Sequence, residues 1–140
     1  MILLSRYTIL PHTADIRMLV KGENLGQLYS NAAFGLADVL KPEDVTYPAE
    51  FPLKRRIALS SIDSTSLLID FLSEILYLSH KEKALYPGVI VREMGELELD
   101  AYVLGFHADR FGEDVKAVTY HEAEIIGSEG NFECVVILDI

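Results

Sequence analysis

Three short stretches of this chain hold side chains that could do chemistry together. In Pro11-His12-Thr13-Ala14-Asp15, proline and small polar residues interrupt an N-terminal strand pattern and could present an imidazole beside a carboxylate. The plain reading of the same stretch is a turn in which Asp15 bonds nearby backbone amides, and His-Thr-Ala-Asp has no standard metal spacing. In Asp114-Val115-Lys116-Ala117-Val118-Thr119-Tyr120-His121, strand alternation puts Lys116, Val118 and Tyr120 on one face and Ala117, Thr119 and His121 on the other. Lys116 and His121 are therefore not expected to point together. The third stretch is the chain end, Ile137-Leu138-Asp139-Ile140, where a side-chain carboxylate stands next to the terminal carboxylate. Hard cations such as calcium and magnesium favour such a concentration of oxygen ligands. Chain ends are ordinarily frayed, but here the apolar alternation runs to the last residue and predicts an end held in a strand.

Other familiar chemistry has no matching pattern. The histidines at positions 12, 80, 107 and 121 and the single Cys134 form none of the zinc spacings. Glycine-rich phosphate loops and nucleophile elbows are missing from the string, and Ser60-Ser61 and Ser64-Thr65-Ser66 flank a helix start, where hydroxyls act as caps. Asp38 and Asp63 fall near helix ends and read as solubilising and capping residues. No catalytic residue and no organic-cofactor site is assigned.

The composition narrows the partners. With 22 acidic against 12 basic side chains the formal charge is −10, a field that repels a phosphate backbone, since nucleic-acid affinity comes mainly from Lys and Arg. Direct nucleic-acid binding is not expected. The one basic run, Lys54-Arg55-Arg56, reads as a solvated strand face. A basic protein or a cation suits this surface better. A lone cysteine within the apolar run Phe132, Cys134, Val136, Leu138 excludes an intrachain disulfide framework and suggests a reducing cytoplasm. The apolar start Met1–Leu4 is interrupted by Arg6 and Pro11 before reaching signal-peptide length, and no stretch approaches a membrane span.

The elements that must position the three stretches follow from periodicity. Ile16, Met18 and Val20 alternate with Arg17 and Lys21 as a half-buried strand closed by Gly22. A helix capped by Asn24 follows, with Leu25, Leu28, Tyr29, Ala32, Ala33, Leu36, Val39 and Leu40 at three- and four-residue steps up to Pro42. Residues 41–50 form a loop and 51–60 a strand. Asp63 or Ser64 caps a second helix whose stripe is Leu68, Phe71, Leu72, Ile75 and Leu76, ending in charged residues 80–83 before a Tyr86-Pro87-Gly88 turn. Period two then dominates: a hairpin of 89–94 and 96–107 around Gly95, a strand at 115–126, a turn at 127–131 and a last strand at 132–139. The prediction is one α+β domain spanning 1–140, two helices covering one side of a largely antiparallel sheet of about five to seven strands.

At these stretches the chain resembles the archease family. The resemblance rests on His12-Thr13-Ala14-Asp15-Ile16, Asn31-Ala32-Ala33-Phe34-Gly35-Leu36, Phe71-Leu72-Ser73-Glu74-Ile75-Leu76-Tyr77, Lys116-Ala117-Val118-Thr119-Tyr120-His121 and the closing Asp139-Ile140. Each string alone is weak, whereas five in register, nearly end to end, are specific. Glu122-Ala123 and the short loop at 41–50 depart from the family pattern.

The resemblance implies a non-enzymatic cofactor protein of the GTP-dependent tRNA-splicing RNA ligase, one that promotes guanylylation of the ligase histidine and multiple turnover. Some members act as chaperones modulating a tRNA cytosine methyltransferase. Carried over, the metal ligands fall on Asp15, Asp139 and Ile140, the last through its main-chain or terminal oxygen, with His12, Lys116 and His121 as further functional positions. An oxygen-only set favours calcium or magnesium over zinc. The rival class, a metal-dependent hydrolase, would need a general base and a substrate pocket beside the carboxylates.

Overall fold

Ile16, Met18 and Val20, the apolar half of the first alternating run, are buried, while Asp15, Arg17 and Leu19 between them keep contact with solvent. That alternation makes one strand the inner wall of a core. The computed structural model describes residues 6–10 and 14–140. Among them the order of elements is β1 (Tyr7–Leu10), β2 (Asp15–Gly22), α1 (Leu25–Leu40), β3 (Leu53–Ser60), α2 (Ser64–Glu82), β4 (Ala84–Met94), β5 (Glu98–His107), β6 (Ala117–Thr119), β7 (Ile126–Ser128) and β8 (Asn131–Asp139).

The architecture is α+β, and every strand pairing among the described residues is antiparallel. The eight strands divide into two sheets: a five-stranded one ordered β1-β2-β8-β6 with β7 also on β8, and a three-stranded one ordered β3-β5-β4. Period-two patterning marks strands without saying which sheet each joins, so the division was not visible in the sequence. Both sheets turn their apolar faces toward the helices. Met18, Val136 and Leu138 from one sheet and Ile57, Ala101 and Val103 from the other join Leu28, Leu36, Leu68 and Leu72 of the helices in a single core. Helix α1 packs on β2 and β4 at once, and α2 on β3, β4, β5 and β6.

Both helix starts follow the capping signals. The Asn24 side chain accepts a hydrogen bond from the Gln27 amide at 2.8 Å, and the Asp63 carboxylate accepts one from the Ser66 amide at 2.7 Å. Asp38 does more than solubilise: its carboxylate accepts hydrogen bonds from the Tyr7 and Tyr47 hydroxyls and so ties β1 and the loop after α1 to the helix. Helix α2 ends at Lys83, which adopts the left-handed conformation with φ 52°.

Two expectations need correction. Tyr86-Pro87-Gly88 is not a turn but part of β4, at a register irregularity between Leu85 and Gly88. A bulge is a place where proline, which lacks an amide donor, is tolerated inside a sheet. Of the strand expected over 115–126 only Ala117–Thr119 forms as β6, while Ile126 opens the short β7 that runs into the expected turn at 127–131. The Ala123 amide bonds the Tyr120 carbonyl and Glu122 is left-handed at φ 58°, so the chain turns away before a longer ladder forms. No helix among the described residues is long and apolar enough to cross a membrane.

Candidate functional site

Strand β8 runs between β2 and β6, and its last residue collects the site. Asp15, the first residue of β2, is the register partner of Asp139, the last of β8; on the other side Ala117 of β6 is also opposite Asp139. Directly opposed residues share a face. Leu138 and Ile16, the adjacent pair, are buried toward the helices, so Asp15 and Asp139 both lie on the outer face. The Lys116 amide donates to the Asp139 carbonyl oxygen at 2.7 Å. This bond holds the chain end in the ladder, as the apolar pattern predicted.

The next row along the same face is Arg17, Ile137 and Thr119. Arg17 forms an ion pair with Glu122 at 2.9 Å, made possible by the left-handed turn at Glu122 that brings its carboxylate back over the sheet. This pair escaped the sequence analysis. Its one available signal was the Asp15-x-Arg17 spacing, which places both residues on one strand face. Ile137 is 4% exposed although it faces outward, consistent with the apolar stems of its neighbours covering it.

The expected site residues separate as follows. Asp15 and Asp139 are brought together, and exposed Ile140 follows Asp139 directly. Lys116 joins through its backbone, with an exposed side chain one residue outside β6. His121 is exposed in the turn after β6, its amide bonded to Thr119 Oγ1 at 3.2 Å. His12 lies outside the described residues. Tyr120, on the strand's other side, donates to Asp70 and links this segment to α2. That hydrogen bond holds the Tyr120 hydroxyl above its ordinary pKa, with partial burial adding to the effect. Lys54-Arg55-Arg56 splits between faces: Arg55 reaches Glu82 and Arg56 reaches Asp100, each at 2.9 Å.

The donor chemistry of the acidic pair suits a hard cation. Like charges placed directly opposite on neighbouring strands repel, and among the described residues neither Asp15 nor Asp139 has a basic ion-pair partner. A divalent cation would convert that repulsion into attraction, with two carboxylates, main-chain oxygen and water as ligands. Among the described residues no group of three or more His, Cys, Asp and Glu side chains is arranged to hold a metal. Two carboxylates alone would need carbonyl and water oxygens to complete a coordination shell, ligands that calcium and magnesium accept and that the closed tetrahedral side-chain set of structural zinc does not use.

Residues 7–140 match the model of the Archease protein family. The chain belongs to the archease family. Among its relatives is the protein archease of Methanosarcina mazei, 33% identical over 144 residues, with 96% of each chain covered. That of Methanothermobacter thermautotrophicus is 31% identical over 134 residues, covering 91% of this chain and 94% of its own. The solution structure of Methanobacterium thermoautotrophicum protein 1598 is similar with TM-score 0.75 and 28% identity, covering 98% of this chain and all of that one. An archease from Thermotoga maritima, described as a possible chaperone, shares the fold with TM-score 0.66 and 17% identity over 95% of this chain and 96% of its own.

Proposed function

We propose that this archease is a divalent-cation-carrying accessory protein of the GTP-dependent tRNA-splicing RNA ligase, without catalytic chemistry of its own, promoting guanylylation of the ligase histidine and so multiple turnover. The observation that supports the reading is the in-register pair Asp15 and Asp139 at the chain end of a family member. Asp15, Asp139 and the main-chain or terminal oxygen of Ile140 would hold calcium or magnesium. When bound, such a cation supplies positive charge able to stabilise a phosphoryl group.

The chain's own residues do the remaining work. Lys116 bonds the Asp139 carbonyl through its amide and leaves an exposed cationic side chain one residue before β6. Arg17 and Glu122 fix the turn that follows β6, and Tyr120 anchors the same segment to α2. The net charge of −10 would steer the protein toward a basic active-site cleft and make association sensitive to salt.

The deciding experiment is ligase turnover with and without this protein. The expected result is one round of ligation without it and many rounds with it, the stimulation falling when Asp15 or Asp139 is replaced by Ala. Failure to raise turnover beyond one round would overturn the reading. If the protein instead suppresses aggregation of a tRNA methyltransferase, the function moves to the chaperone class; phosphoester turnover by the isolated protein would make it a hydrolase.

A further inference from the structure

At the N-terminal end of α2, Ile62 is 84% exposed and Leu97 is 53% exposed. Ile62 sits in the connection between β3 and α2, and Leu97 in the tight turn between β4 and β5, where small polar residues and glycine are the ordinary choices. Two hydrogen bonds hold these connections together, the Ser61 amide to the Leu97 carbonyl at 2.9 Å and Ser64 Oγ to the Glu96 carbonyl at 3.0 Å, and a third, from the Gly95 amide to the Glu98 carbonyl at 2.9 Å, closes the β4–β5 turn itself. The two apolar side chains thus project from fixed backbone, and ordering them in a complex costs little entropy.

The rim around them has one sign. Residues 61–66 and 95–98 contain no Lys or Arg, while Asp63, Glu96 and Glu98 are exposed there. Of these, Asp63 is engaged in capping α2, which leaves Glu96 and Glu98 to face a partner. An acidic rim excludes several occupants. A second copy of this chain would bring its own net charge of −10; nucleic acid and anionic lipid surfaces would be repelled in the same way. A protein with a basic surface is attracted, and a protein that binds RNA presents one.

This end is remote from the acidic pair. Helix α2 has 19 residues and spans about 28 Å at 1.5 Å per residue. Its far end reaches the cation end of the molecule, where the His80 ring nitrogen Nε2 meets the carbonyl of Val115 at 3.0 Å, next to Lys116.

We infer that Ile62 and Leu97, projecting among Glu96 and Glu98, form a second docking surface that seats in an apolar hollow ringed by Lys and Arg on the RNA-binding face of a partner protein. In taking the tRNA-splicing ligase as that partner, the inference rests on the proposed function. The two ends of α2 then divide the labour: one end serves the chemistry, the other holds the complex.

The test uses full-length protein and purified ligase, with affinity and rates followed by biolayer interferometry across a salt series. Ile62→Ser with Leu97→Ser should weaken binding roughly tenfold, mainly through a faster off-rate. Glu96→Lys with Glu98→Lys should slow association and flatten its salt dependence. Both double variants should melt with the parent and, at saturating concentration, stimulate guanylylation to the parent rate. Parental binding with both double variants within twofold of it would overturn the inference while leaving the proposed function standing. No ligase binding by the parent would overturn both. A concentration-dependent dimer of the parent, lost in the Ile62→Ser and Leu97→Ser variant while ligase binding is kept, would overturn the inference by making the patch a self-contact.

Discussion

Asp15, at the first position of β2, stands directly opposite Asp139, at the last position of β8, on the outer face of the five-stranded sheet. Opposed positions on antiparallel strands bring Cβ atoms to about 4.5–5.5 Å. Two carboxylates at that separation oppose pairing of their own strands unless positive charge lies between them.

Replacing Asp139 by Asn should therefore have opposite effects with and without cation. Without divalent ions the variant should melt at or slightly above the parent, because removing a like-charge pair relieves roughly 0.2–1 kcal/mol. At a calcium concentration of 100 times Kd the parent should gain about 2.7 kcal/mol and the variant much less. Paired thermal melts check this; a parent whose melting is moved by neither calcium nor magnesium would remove the acidic pair from consideration as a cation site.

Lys116 contributes its amide to the ladder and leaves its side chain exposed. Lys116→Ala should therefore preserve the fold while reducing ligase guanylylation more than ligase binding. Single-turnover guanylylation and binding measured on the same variant separate the outcomes: equal losses would make Lys116 a docking residue, and no loss would leave it an ordinary exposed lysine.

Gly105 allows a close strand approach within the three-stranded sheet. A Cβ there would lie 1.9 Å from the Leu85 carbonyl oxygen and 2.7 Å from the Tyr86 ring. Backbone cannot yield as a flexible side chain can, so Gly105→Ala should cost about 3 kcal/mol or more. Urea denaturation is the measurement, and a loss under about 1 kcal/mol would mean that β4 and β5 separate more easily than this packing implies.

Burial pushes the Cys134 thiol from 9.0 up to about 11. The unfolded chain loses this proton first as pH rises, so the native state is progressively disfavoured between about pH 9 and 11, while below pH 9 the full contribution remains. The parent should accordingly lose more stability over that interval than Cys134→Ala. Melting curves at pH 8.5, 9.5 and 10.5 test the sign, and parallel curves for the two proteins would contradict it.

The sequence by itself determined both helices and the strands β2 and β8, though not the start of β4 or the reach of β6. Asn24, and Asp63 or Ser64, marked the two helix starts because short polar side chains satisfy free amides there, and the structure gives the second cap to Asp63. The runs Ile16-Met18-Val20 and Cys134-Val136-Leu138 located β2 and β8 and told which side of each is buried, since alternation is a property of a single strand. The family strings named Asp15, Asp139, Ile140 and the segment from Lys116 to His121. Partnership was decided only in three dimensions. Which strand lies beside β8, and in what register, depends on hydrogen bonds between segments far apart in the chain, and no local period encodes it. That register places Asp15 against Asp139, the left-handed turn at Glu122 carries its carboxylate to Arg17, and the packing of α2 and β5 against β3 supplies Glu82 to Arg55 and Asp100 to Arg56. Each of these depends on where a distant backbone lies, because side chains meet only after the sheet has been assembled.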